Sequence, residues 1–202
     1  MAITRVDIAS QALTLLRANT INNFDEGTNE ADIASVYYET FIRDVFSRYP
    51  WKFATKKRRL NLSADMPVNE WAYEFIIPEE VLFIKAVYDS DSVSARPIKD
   101  YDVQDNKVLA NRDKLWAEYT YYVPENRWPG YFTQYAVYAL AAMLAIPVTD
   151  DNDIAAQMQQ LAYGNQSEAE RGGKFRTAVA TESQQAPNDE IYADDLTSAR
   201  FF

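Results

Sequence analysis

The sequence predicts an α+β fold, mainly α: a four-helix bundle with a β-rich insertion between the second and third helices and an extended C-terminal tail. Three observations predict it. Apolar residues recur at helical spacing in two blocks, one at each side of the chain's middle. Between the blocks the pattern switches to the period-two alternation of strands. Helical periodicity then ends at Gly172-Gly173, and a polar, acid-rich segment follows. The expected organisation is a domain over residues 1–172, with helices at 4–18, 29–49, 131–146 and 150–171 and an insertion at 58–123, followed by a tail at 173–202.

Each element has its own local reason. Thr4 with Asp7 three residues on is close to a capping box, and Ile8, Ala12, Leu15 and Leu16 supply the apolar stripe of a helix from about Thr4 to Ala18. Asp25-Glu26-Gly27-Thr28 gives turn and capping chemistry for the second helix, in which Ala31, Ala34, Tyr38, Phe41, Ile42, Val45 and Phe46 keep helical spacing. A short loop between these helices predicts antiparallel neighbours. Pro50 disfavours α conformation at Tyr49, so the second helix ends there in a rigid corner, Pro50, Trp51 and Phe53, with two large apolar anchors.

Leu60-Asn61-Leu62, Trp71 to Ile76, Leu82 to Tyr88 and Lys114 to Val123 read as strands, and Asp105-Asn106 as a hairpin turn. Phe132, Tyr135, Ala136, Ala139, Leu140, Met143 and Leu144 mark a third helix closed by Pro147. Thr149-Asp150-Asp151-Asn152 offers caps for a fourth, carrying Ile154, Met158, Leu161 and Ala162.

Composition narrows the function. With 202 residues, 48% hydrophobic and 14% aromatic, the chain can bury a core without a metal or disulfide. The 14 tyrosines suit half-buried and interface positions. A net charge of -10 opposes binding driven by phosphate neutralisation. There is no Cys, hence no thiol catalysis or disulfide, and no His, the commonest general base and transition-metal ligand. No run of 18 apolar residues is found, and the N-terminus lacks a signal-peptide apolar region, so synthesis in a cytoplasm and no membrane partner are the expectations. No catalytic residue, cofactor or metal is assigned.

Three patterns invite chemistry. The run Lys56, Lys57, Arg58, Arg59 reads as a contact for DNA or an acidic partner, or as a solvated strand edge. Glu79-Glu80 and Asp150-Asp151 could form a hydrolytic carboxylate pair, but adjacent acids at turns and helix starts are ordinarily caps. Gly172-Gly173 lacks the surrounding pattern of a phosphate loop and reads as a helix terminator. In the tail, Ile191, Tyr192, Leu196, Arg200, Phe201 and Phe202 stand in a polar acidic background, the pattern of a short docking element.

Taken in order, several segments resemble a known family. They are Ala12 to Leu16, Ile21-Asn22-Asn23-Phe24-Asp25-Glu26, Glu30-Ala31, Tyr37-Tyr38, Arg43-Asp44, Tyr49-Pro50-Trp51-Lys52-Phe53-Ala54, Tyr73 to Glu79 and Leu144 to Thr149. Their order and spacing resemble the head-to-tail adaptor proteins of tailed bacteriophages, called tail tubular protein A in short-tailed phages, over about residues 3–172. Arg17 departs from the pattern, since the family usually carries a small residue such as Gly before its loop.

The resemblance implies a non-enzymatic virion protein at the head-tail junction, assembled in the host cytoplasm. It implies a homo-oligomeric ring, commonly of twelve subunits, that binds the portal protein, extends the channel through which genomic DNA passes, and carries tail or nozzle proteins. The family's C-terminal segment docks on the portal, which would fall to the tail residues named above. The alternatives are a phage-associated peptidoglycan hydrolase using carboxylates, or a DNA-binding module using residues 56–59.

Overall fold

The computed structural model describes residues 3–64, 67, 70–92 and 94–185. It is α+β, with five helices and two antiparallel sheets, and not a four-helix bundle with an insertion. The helices are α1 (Arg5–Leu15), α2 (Asn29–Ser47), α3 (Gly130–Thr149), α4 (Asn152–Tyr163) and α5 (Gly173–Gln184). The strands are β1 (Thr55–Arg59), β2 (Asn61–Leu62), β3 (Tyr73–Ile76), β4 (Val81–Tyr88), β5 (Tyr101–Gln104), β6 (Lys107–Ala110) and β7 (Trp116–Tyr121).

The first correction concerns the C-terminal side. The expected fourth helix stops at Tyr163, and the tail expected from Gly173 begins as α5. Gly172-Gly173 opens this helix rather than ending one, with Gly172 as its N-cap. Gly164, at φ +86°, and Gly172 approach so closely that a Cβ on Gly172 would lie 2.8 Å from Gly164 Cα, and the Gly172 N–H donates to the Tyr163 carbonyl at 2.7 Å. This turn lets α5 fold back on α3 and α4. Its buried residues, Phe175, Ala178 and Glu182, share one face by helical spacing. A carboxylate at the third of those positions hid the stripe from an apolar count.

The second correction is at Pro147. α3 continues through it to Thr149 and ends at Asp150, whose backbone is left-handed at φ +51°. Pro147 sits in the last turn, where the missing N–H removes only one helical bond. α3 is 20 residues long, enough by length and composition to cross a bilayer, yet it is the helix around which the core is built. Both α1 and α2 pack chiefly on α3 rather than on each other.

α1 begins with the expected Thr4–Asp7 capping box. It ends in a Schellman motif: the Ala18 N–H donates to the Leu13 carbonyl (3.0 Å) and the Arg17 N–H to that of Thr14 (3.1 Å). That motif places Arg17 at φ +60°, a region L side chains avoid.

The region between α2 and α3 is a domain-like layer with its own core, more than a β-rich insertion. One sheet has the order β1-β7-β4, the other β2-β3-β6-β5. Phe75 pairs with Val108, and Arg58 with Ala117, so alternate residues of each sheet face one shared cluster that includes Val87, Leu115 and Tyr119. Asp105-Asn106 is the two-residue turn between β5 and β6, both residues at positive φ, as a type I′ hairpin requires. Leu82 and Tyr121 turn toward the helices and join the larger core.

Candidate functional site

The Pro-Trp corner is the centre of the helical body. Around Pro50 the Trp51 N–H donates to the Tyr49 carbonyl at 2.8 Å, closing a three-residue turn. Trp51 is fully buried, and its indole N–H donates to the Val45 carbonyl at 2.9 Å, so its one polar atom is satisfied. Its ring meets Phe132 of α3 at 4.9 Å and Phe175 of α5 at 6.3 Å between centroids. Phe53 meets Phe132 at 4.8 Å, and Phe46 of α2 meets Phe132 at 5.1 Å. One aromatic cluster thus fixes α2, the corner, α3 and α5 relative to one another.

Two buried carboxylates flank this cluster. Glu182 of α5 is 1% exposed, and it accepts hydrogen bonds from the Lys52 backbone N–H and from the Tyr131 hydroxyl. Glu125 accepts from Tyr38 at 3.0 Å and from Tyr122 at 2.8 Å, while the Arg5 guanidinium lies 4.8 Å from the Tyr38 ring. Burial, first, and then these carboxylates push the phenols of Tyr131, Tyr122 and Tyr38 well above the ordinary range, so each hydroxyl keeps its proton and donates it. Sequence reasoning missed both acids. For Glu182 the signal was its seven-residue spacing from Phe175; for Glu125 none was present.

The basic run forms β1, an edge strand, and its charges are engaged within the chain. Lys56 Nζ lies 3.2 Å from Glu80 and 3.6 Å from the Tyr121 ring centroid. Arg58 reaches Glu80 at 3.1 Å. On the opposite face Lys57 sits 4.0 Å over Tyr88 and Arg59 5.9 Å over Trp116. Glu80 also accepts from the Tyr119 hydroxyl at 2.5 Å, and that bond, with Lys56 and Arg58, holds its carboxyl below the usual 4.5. For Glu118 burial pulls upward, but Lys85 and Tyr88 outweigh it and the group also stays low.

These shifts run opposite to what a general acid needs. Asp151 caps α4, accepting from the Asp153 and Ile154 N–H groups, and Asp150 ends α3. Among the described residues no group of three or more acids is placed to hold a metal. The residues expected to dock, Ile191, Tyr192, Leu196, Arg200, Phe201 and Phe202, lie outside the described residues.

A second charged node joins the corner to the turn before α5. Arg48 donates to Asp44 (2.8 Å) and Glu170 (2.9 Å) and lies 4.3 Å over the Tyr163 ring. Among the described residues the arrangement can hold surfaces in fixed relation. No protein-family model matches this chain, and no curated protein is significantly similar to it.

Proposed function

We propose that this chain is a structural head-to-tail adaptor of a tailed bacteriophage, which assembles as a ring beneath the portal and offers a platform to tail or nozzle proteins. The observation that carries this reading is the order and spacing of the segments from Ala12 to Thr149, from which Arg17 departs. The family it resembles usually has a small residue there, and the backbone at that position is left-handed, which favours Gly. A motif order noticed in sequence and a backbone requirement found in structure therefore meet at one residue.

Other features support the reading. The Tyr49 to Ala54 segment, part of the resemblance, is the hub that orients α2, α3 and α5. A net charge of -10 suits a channel that must not retain DNA. The cations at 56–59 are taken up by Glu80, Tyr88, Tyr121 and Trp116, which favours the pairing reading of that run over DNA contact.

The test is electron microscopy of the full chain, alone and mixed with the portal ring of the phage that encodes it. The expected result is a dispersed protein alone and added ring density beneath the portal in the mixture. Replacing Ile191, Tyr192 and Leu196 by Asp should leave the portal bare while the circular-dichroism spectrum is unchanged. A wild-type chain that never decorates the portal sinks the reading.

A further inference from the structure

A groove of about 500 Å³ runs between α1 and α3. Leu15, Trp128, Val137 and Tyr138 supply its apolar lining, and Gln11 and Gln134 add exposed amides. Among the described residues no charged side chain lines it, in a chain of which a quarter of the residues are charged. A charged partner would lose its hydration there without meeting an opposite charge, so the groove selects an uncharged one.

An exposed surface of the same chain has the matching chemistry. From Ile154 to Ser167 the sequence carries no charge, and this run includes all of α4 after Asp153. Ala156, Gln157, Gln160 and Leu161 are exposed and fall on one side of α4 by helical spacing. Leu161, 40% exposed, is the large apolar residue of that stripe. Depletion of charge is what marks the core of a contact between proteins. The two features also agree in length, since Gly130 to Tyr138 and Ala156 to Gly164 each cover ~12 Å of helix.

The groove and the stripe face away from each other. Val137 and Tyr135 stand ~160° apart around α3. Tyr135 is the residue that meets Tyr163 of α4, at 6.1 Å between ring centroids. α4 therefore lies across α3 from the groove; it buries Met158, Ala162 and Tyr163 and turns the stripe outward. A subunit cannot fill its own groove with its own α4.

We infer that α4 of one copy seats its stripe, led by Leu161, in the α1–α3 groove of a second copy. The two faces differ and lie on opposite sides of the subunit, so the contact is heterologous and passes from copy to copy, closing a ring where the rotation allows. This inference deepens the adaptor reading and rests on it for its setting, the seam between neighbouring subunits beneath the portal. A groove this short holds a free copy weakly, whereas copies gathered on a portal meet at a far higher effective concentration.

The absence of Cys makes the test direct. Gln134 and Gln160 are exposed and stand midway along groove and stripe, so they meet whichever way α4 runs. Gln134→Cys chains are mixed with isotope-labelled Gln160→Cys chains at high protein concentration. Disulfide-linked dimers formed under mild oxidation are then sorted by mass spectrometry. The expected result is ~10-fold more mixed dimer than either like pair, against roughly twofold for random encounter, because docking holds the two thiols together. Adding Leu161→Asp to the labelled chain should restore the random proportions while its circular-dichroism spectrum is unchanged. Random proportions without that change, an excess of like pairs, or a mixed dimer untouched by Leu161→Asp each overturns the contact. No portal is present, so failure here leaves the adaptor reading to be judged on portal decoration alone.

Discussion

Around Trp51 the helical body packs ring against ring, with Phe46, Phe53, Trp128, Phe132, Tyr135 and Phe175 in one continuous network. The space between the two sheets is filled mainly by aliphatic side chains, with Phe75 and Tyr119 as the fully buried rings. The carboxylates differ in the same sense. Glu125 and Glu182 are buried and answered by tyrosine hydroxyls and one backbone N–H, whereas Glu80, Glu118 and Glu74 of the sheet layer each accept from a lysine, the first two in half-exposed pairs. Edge-to-face rings and buried acids are directional and tolerate little displacement. Aliphatic contacts and surface pairs are forgiving. The helical body is therefore built to hold angles, and the sandwich to fill space.

The largest expected effect breaks the body. Trp51→Ala should cost about 3–5 kcal/mol, a major part of a typical stability of about 5–15 kcal/mol. Urea unfolding followed by circular dichroism would read it, and a loss under about 1 kcal/mol would show that the corner is not the hub. Phe75→Ala should speed amide exchange in β3 and β6 well before it does so in α3; equal acceleration in both regions would erase the contrast drawn above.

Acid should act on the sandwich next. Glu80 and Glu118 have folded-state pKa values below the ordinary 4.5, so an unfolded chain binds more protons there. Their contribution is complete above pH 4.5 and is lost as pH falls through the lower folded values. Half-exposed pairs of this sort are worth under about 1 kcal/mol each. The urea midpoint should drop between neutral and strongly acid pH, and Glu80→Gln should remove part of the drop. An identical drop in that variant would assign the acid sensitivity elsewhere.

The smallest effect has the opposite sign. Arg17→Gly should stabilise by about 0.5–1 kcal/mol, because relief of the left-handed strain exceeds the added entropy of the unfolded chain. For a chain of this length that is a rise in Tm of about 1–4 °C. A fall would mean that the Arg17 side chain makes a contact worth more than the strain.

What could be read from the sequence was local. The Thr4 and Thr28 caps, the corner after Pro50 and the Asp105-Asn106 turn each depend on a few neighbouring residues and were found at their places. The failures were non-local. α5 was hidden because Glu182 is acidic yet buried, a condition created by Tyr131 and Lys52 far away in the chain. Pro147 reads as a stop because the pattern does not show that it stands in a final turn. The groove between α1 and α3 depends on how two helices far apart in the chain meet, and no window of residues contains it.

The central place of α3 has a consequence for the birth of the protein. α1 and α2 leave the ribosome first, but the helix that covers their apolar faces follows roughly a hundred residues later. At ordinary rates of synthesis the delay is on the order of ten seconds. Throughout it Ile8, Leu13, Phe41 and Phe46 lack the helix that closes over them, while the sheets between can already form. The nascent chain is thus most vulnerable to aggregation until α3 emerges, and a late helix decides whether the early ones survive.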